Sequence, residues 1–427
     1  MEKIDYKLIN ESLYLDTLEN GLQVFYLPKK DYNKTYALFT SKFGSLDTSF
    51  IPIDGNEMKT YPEGIAHFLE HKLFEDEDGD AFQKFGRLGA ASNAFTSFDR
   101  TSYLFSASDK IYENLNILLD FVQSPYFTKE SVEKEQGIIG QEIQMYQDDA
   151  DWRLFFGLLQ NLYPDSPLAA DIAGTPQSIS EISPLDLYEN YSSFYHPSNM
   201  ILFVTGNFDV EELADFVIKN QQAKDFPTIK EVIRSEFKAS EPRSFDTIKM
   251  DVTYPKFALG LRGYDILPQE GFDLLTYRLA IYMTLSMLFG ATSKRFEGWY
   301  NQGIIDDSFD YNFELHDQFH MVTFSADTKN FEFLEQEIIK VLENYTKDSD
   351  FTEEHFDLVK KEYLGNYYQS LNSLELIASQ FSSNIYPGIT FFDYPEVLQS
   401  LKFKDLSKYV EQFTENMKKS SFLINPS

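Results

Sequence analysis

Three residues in the run Glu63-Gly-Ile-Ala-His-Phe-Leu-Glu-His define the chemistry this chain can attempt: His67, Glu70 and His71, in the spacing HxxEH. On a helix, positions i and i+4 lie one turn apart on the same face. Both imidazoles can therefore reach one metal ion, while Glu70 projects beside them. The pentad reads as a zinc site holding its own catalytic carboxylate, in the reverse of the HExxH order of many metalloproteases. In a chain with six histidines the pattern arises by chance on the order of once in a hundred such chains. The bland alternative is two helix-surface histidines beside a solvated glutamate.

The elements that must position these side chains can be read around them. Leu22-Gln-Val-Phe-Tyr-Leu, after the turn signal Asn20-Gly21, and Tyr36 to Ser45 read as strands. The pentad helix follows, with His67 to about Phe74 as its core. Ala91 to Ser106 is rich in β-branched and aromatic residues and reads as two short strands joined at Phe98 to Arg100. Ile111 to Val122 is amphipathic at helical spacing, and Thr128 opens a long helix through about Gln147. Strands and helices mix without βαβ regularity, so the expected class is α+β: mostly antiparallel sheets with helices packed on one side.

Two distant segments look alike. Phe127-Thr-Lys-Glu-Ser-Val-Glu-Lys-Glu lies on Phe351-Thr-Glu-Glu-His-Phe-Asp-Leu-Val at an offset of 224 residues. At nearly the same offset, Leu162-Tyr-Pro falls near Ile385-Tyr-Pro, and Asp186-Leu-Tyr-Glu-Asn-Tyr near Asp405-Leu-Ser-Lys-Tyr-Val. Three ordered matches at one spacing indicate a duplication. The expected division is residues 1–218 as an N-terminal catalytic half, 219–244 as a linker, and 245–427 as a homologous half without a zinc site. Carried across from the pentad, the offset lands on Ala291 to Arg295, where no paired histidines stand. Only one half can be metallated.

A catalytic zinc needs three protein ligands and an open position, so a carboxylate must come from elsewhere. The helix after Thr128 offers Glu133, Glu135 and Glu142. Glu135 and Glu142 are two turns apart and share a face, with Ile138 and Ile139 near them. The repeat sets Val359 opposite Glu135 and Asn366 opposite Glu142, so both acids are specific to the half that carries the pentad.

Composition bounds the rest. A chain of 427 residues, 43% hydrophobic, suggests two to four domains with adequate cores. Cysteine is absent, which excludes disulfides and thiolate catalysis, leaves zinc to His and carboxylate, and suits a reducing cytoplasm. Met1-Glu-Lys-Ile-Asp-Tyr has no signal-peptide character and no segment offers about 18 uncharged apolar residues, so a soluble intracellular protein is expected. The net charge of -31 argues against nucleic acid and anionic membranes as partners. Most of the 40 Phe and 27 Tyr should be core or interface residues.

With HxxEH and the two later glutamates in place, the chain resembles the pitrilysin/insulinase family of zinc metallopeptidases, in its half-size bacterial branch akin to the mitochondrial processing peptidase. The resemblance also rests on Asn93-Ala-Phe-Thr, Phe194-Tyr-His-Pro-Ser-Asn-Met and Val204-Thr-Gly-Asn-Phe-Asp, and is strong to about Asp209. It implies two α/β-sandwich halves. It also implies one Zn2+ per chain held by His67, His71 and Glu142, Glu70 as general base, and Glu135 as a supporting acid. Asn93, Ala94 and Phe95 would pair with a peptide substrate as an added strand.

Active members of that family also use an Arg and a Tyr in a C-terminal half. Here Tyr300 stands where the Arg is expected and Asp306 where the Tyr is expected. The resemblance thus points to the zinc-bearing subunit of a heterodimer whose zinc-less paralogue supplies the pair, in preference to a homodimer. The alternative is a non-catalytic or weakly active metal-binding scaffold. Of the other histidines, His316 and His320 read as structural, His196 as capping or buried at a helix end, and His355 as part of a polar helical face.

Overall fold

The computed structural model describes residues 1–77, 79–228, 231–383 and 387–427. It contains two compact units. The first comprises Met1–Met145, Ala170–Glu236 and Leu371–Ser383; the second comprises Tyr146–Ala169, Phe237–Ser370 and the described C-terminal residues 387–427.

A seven-stranded sheet organises the first unit, in the order Glu2–Tyr6, Glu11–Thr17, Gln23–Pro28, Met200–Gly206, Thr35–Ser41, Thr101–Ala107, Ala91–Thr96. Neighbours run antiparallel except Gln23–Pro28 beside Met200–Gly206, which are parallel. A five-stranded sheet organises the second, in the order Phe245–Met250, Lys418–Pro426, Lys256–Arg262, His320–Asp327, Asp310–Leu315, again with its first pair parallel and the others antiparallel. From the third strand of the larger sheet onward, the two have the same order and sense. The halves are two copies of one α/β arrangement, as the repeat implied, although Ile385 and Tyr386 of that repeat lie outside the described residues.

The central strands of each sheet are buried on both faces. Along Lys256–Arg262, Phe257, Leu259 and Leu261 point into a core shared with the apolar helix Gly271–Phe289. Ala258, between them, points the other way, onto Leu154, Leu158, Phe422 and Ile424. That second face is covered by the helix Ala150–Leu162, which the sequence places in the first repeat. Its counterpart Leu374–Ser383, from the second repeat, packs in the first unit, where Phe381 meets Phe25 and Phe203 at ring separations of 4.8 and 4.4 Å. The compact units therefore differ from the repeat division by this exchange of segments. In the 219–244 stretch, residues 229–230 lie outside the described residues. Arg234 is fixed to the first unit: its Nε donates to Asp47 Oδ1 at 2.6 Å, and Ile233 and Arg234 pair with Ile51 and Phe50.

The covering helix in the second unit approaches its sheet closely because position 157 has no side chain. A Cβ there would meet the Phe422 ring at 2.4 Å. Gly157→Ala is therefore expected to destabilise the protein by about 1–3 kcal/mol despite the better helix propensity of alanine. Thermal unfolding checks this, and an unchanged or raised Tm would show that the ring can yield.

By element order the pentad helix corresponds to Gly271–Phe289, not to Ala291–Arg295 as the constant offset gave, because the connections differ in length between the halves. That helix contains no histidine, so the absence of a second HxxEH site stands. It is also apolar and long enough to cross a membrane by composition alone, but 78% of its apolar window is buried inside the fold, which accounts for its character as a core helix.

Candidate metal centre

The pentad lies on the helix Ile65–Leu73. The helix starts at Gly64, whose φ of +87° and whose clearance of 2.6 Å from the Ala173 carbonyl oxygen would admit no Cβ. Ser178 Oγ donates to the Glu63 carbonyl at 2.9 Å, so the first turn of the short helix Pro176–Glu181 holds the helix entry in place. His67 and His71 then stack edge to face, with ring centres 4.6 Å apart.

Facing them is the helix Lys129–Asp148, with Val132, Glu135, Ile139 and Ile143 buried along one face. Two turns along that face stands Glu142. Its two oxygens lie 3.7 Å from His67 Nε2 and 3.4 Å from His71 Nε2. One ligand atom from each of His67, His71 and Glu142 falls within 4.8 Å of the others. Donors about 2.0–2.1 Å from a tetrahedral zinc are roughly 3.4 Å apart, so the set is nearly closed around a point where an ion fits. His67 Nδ1 is buried without a hydrogen-bond partner among the described residues. His71 is better supported, since its Nδ1 lies 3.0 Å from Glu135 Oε1, which directs Nε2 toward Glu142.

The environments of the three titrating groups differ. Burial, with the neighbouring His71, pushes His67 well below the ordinary imidazole range, which keeps it neutral and able to ligate. Burial also pulls His71 down, but its bond to Glu135 and the charges of Glu70, Glu142 and Glu135 outweigh this and raise it. Burial raises Glu70, offset in part by a hydrogen bond from Thr96 and by His71. A carboxylate raised in this way is a stronger base than an exposed one.

The other site candidates are placed as follows. Glu133 lies on the solvent side, 3.7 Å from Lys129 Nζ, away from the cluster. Ile139 is fully buried but Ile138 is 45% exposed and turns into a cleft of about 650 Å³ that Glu70, His71, Asn93, Ala94 and Glu135 also line. Asn93, Ala94 and Phe95 lie in Ala91–Thr96, the last strand of the sheet, bonded to Thr101–Ala107 on one side and with no strand on the other among the described residues. Asn93 Oδ1 accepts the Ala94 backbone N–H at 2.9 Å.

In the second unit, His320 Nε2 is 2.6 Å from Asp265 Oδ1, and Tyr277 and Gln412 both donate to Asp265 Oδ2. His316 stacks on Phe319. His196 Nδ1 accepts from Ser198 N, capping the turn that follows. His355 is not on a polar face: it is buried, bonded to Thr292 Oγ1 and to the Asp350 carbonyl, because its helix turns that side toward the loop around residue 292. Nothing in the sequence marks Thr96, at the end of Asn93-Ala-Phe-Thr, as a site residue. In the structure its Oγ1 donates to Glu70 Oε2 at 2.6 Å.

Residues 56–176 match the family model described as insulinase (peptidase family M16), and residues 181–363 the model described as the peptidase M16 inactive domain. An uncharacterized zinc protease of Bacillus subtilis, YmfH, is 47% identical over 344 residues, 80% of each chain. A probable mitochondrial-processing peptidase subunit beta of Arabidopsis thaliana is 27% identical over 210 residues, 47% of this chain and 39% of that one. The crystal structure of a putative M16-like peptidase from Alicyclobacillus acidocaldarius superposes with a TM-score of 0.91 at 32% identity, covering 98% of this chain and 99% of that one.

Proposed function

Because this chain belongs to the insulinase family of zinc proteases, peptidase family M16, we propose that it is the zinc-bearing subunit of an endopeptidase that hydrolyses short, unstructured peptides in a closed chamber formed with a second, related chain. The observation that carries this reading is the convergence of His67, His71 and Glu142, with Glu70 beside them in an open cleft.

In this proposal His67, His71 and Glu142 hold one zinc per chain, and Glu135 orients His71. Zinc in such a donor set supplies Lewis acidity, which acidifies water and polarises a peptide carbonyl. Glu70 takes the proton from the attacking water and passes it to the leaving amine. Asn93, Ala94 and Phe95 lie on a sheet edge with no further strand among the described residues, so an extended peptide binds as an added strand with little demand on its sequence once Asn93 Oδ1 releases the Ala94 N–H. Folded proteins cannot present such a strand, which selects for unstructured substrates.

The need for a partner rests on Tyr300 and Asp306. Tyr300 is 45% exposed on the helix Lys294–Asn301, and Asp306 accepts from Ser308. Neither can donate the guanidinium hydrogen bonds that would stabilise a developing oxyanion. A zinc-less paralogue supplying an Arg and a Tyr would complete the site, and the similarity to a protein named as one subunit of a processing peptidase supports a two-chain enzyme. The lack of cysteine favours a cytoplasmic setting.

Adding the purified zinc-less paralogue should raise kcat/KM on an unstructured peptide by about 10²-fold or more, the worth of a transition-state hydrogen-bond donor. No association and no gain would remove the partner from the proposal. The same two residues favour a second reading, a metal-binding scaffold without turnover. That reading gains if a folded His71→Ala chain supports the same cellular phenotype as wild type.

A further inference from the structure

We infer that Thr96 is a positioning residue for the hydrolysis proposed above, transmitting the placement of a peptide on the edge strand to the aim of Glu70; the inference rests on that reading of the site. Thr96 follows Phe95 directly in Ala91–Thr96, so the backbone offered to a peptide and the hydroxyl that holds Glu70 belong to one strand. Its Oγ1 donates to Glu70 Oε2 at 2.6 Å, and among the described residues no other side-chain or backbone donor to that carboxylate is seen. With Oε2 held, Oε1 is the oxygen left to take a proton.

The hydroxyl has one other neighbour, and it does not compete. Thr101 Oγ1 lies 3.4 Å away, directly across the strand pair, but it gives its own proton to the Phe43 carbonyl at 2.9 Å. The single Thr96 proton has an acceptor at 2.6 Å in Glu70 Oε2 and another at 3.4 Å in Thr101 Oγ1, and the shorter bond takes it. Thr101 is fully buried and Tyr103 and Tyr195 behind it are buried too, joined to each other at 2.9 Å. The wall behind Thr96 is therefore fixed. A β-branched side chain has few rotamers in a strand, so the position of Oγ1 follows its backbone closely. A peptide pairing along residues 93–95 immobilises that backbone and with it the carboxylate.

A structural role alone would only satisfy a buried carboxylate, and kinetics separate the two. In the zinc-loaded protein assayed with the zinc-less paralogue proposed above, Thr96→Val should lower kcat about 10–100-fold, the scale of a misplaced catalytic group, with KM and zinc per chain unchanged. Thr96→Ser, which keeps the hydroxyl, should recover to within about threefold of wild type. In metal-free protein, a double-mutant cycle of Thr96→Val with Glu70→Met should show the valine's effect on the folding equilibrium constant shrinking about tenfold when Glu70 is absent. Wild-type kcat in Thr96→Val, equal loss in the serine and valine variants, an effect confined to KM, or an additive cycle would each overturn the inference. Wild-type turnover in Glu70→Gln would instead sink the assignment of the base, whatever the cycle shows.

Discussion

Glu70→Gln is expected to lower kcat on an unstructured peptide by about 10²–10⁴-fold, the worth of a general base, while zinc content stays at the wild-type level. The substitution keeps the shape of the side chain and an oxygen that can accept from Thr96, but the amide cannot take a proton at neutral pH. Glu70 is not among the three groups that converge within 4.8 Å, so its loss as a base leaves the donor set intact. Steady-state kinetics with metal analysis on the same preparation make the test. Turnover at the wild-type rate would show that proton transfer belongs to another group.

His71→Ala should do the reverse and empty the site. It removes one of three ligands and strands Glu135, which is buried and bonded to that ring. Zinc retained after dialysis against a mild chelator should fall from about one per chain to near none, and activity with it. Glu142→Ala should match it. Glu135→Gln should be milder, loosening the metal by about 10–100-fold, because it touches the orientation of a ligand and not the ion. If the His71→Ala protein kept its zinc, the ion would be held elsewhere and the reading of the pentad would be wrong.

How legible each part was depends on how local its cause is. HxxEH and the seven-residue spacing of Glu135 and Glu142 are set by the helical repeat alone, so the sequence shows them, and the second half acts as a control. Val359, the counterpart of Glu135, is fully buried in an apolar core. The position points inward in both halves, and only in the first was the interior given a carboxylate and a ring to hold it. Where connections vary, the control slips: a constant offset set the pentad against residues 291–295, whereas the matching element is Gly271–Phe289. The insertion of Met200–Gly206 between Gln23–Pro28 and Thr35–Ser41 pairs residues more than 150 positions apart, and no periodicity reports it. The bond from Thr96 to Glu70 was hidden for a similar reason, because strand alternation tells which face a hydroxyl occupies but not which helix passes over it. His355 looked solvated among polar neighbours on its helix, and only the loop around residue 292 explains its burial.

The traded helices have a consequence for how the duplicated gene can be divided. A polypeptide ending at the repeat junction would carry Ala150–Leu162 with no strands to cover, and Phe25 and Phe203 would lack Phe381. Neither product of such a cut is self-sufficient, so a split-gene version of this protein would have to place its break elsewhere or supply each missing segment in trans.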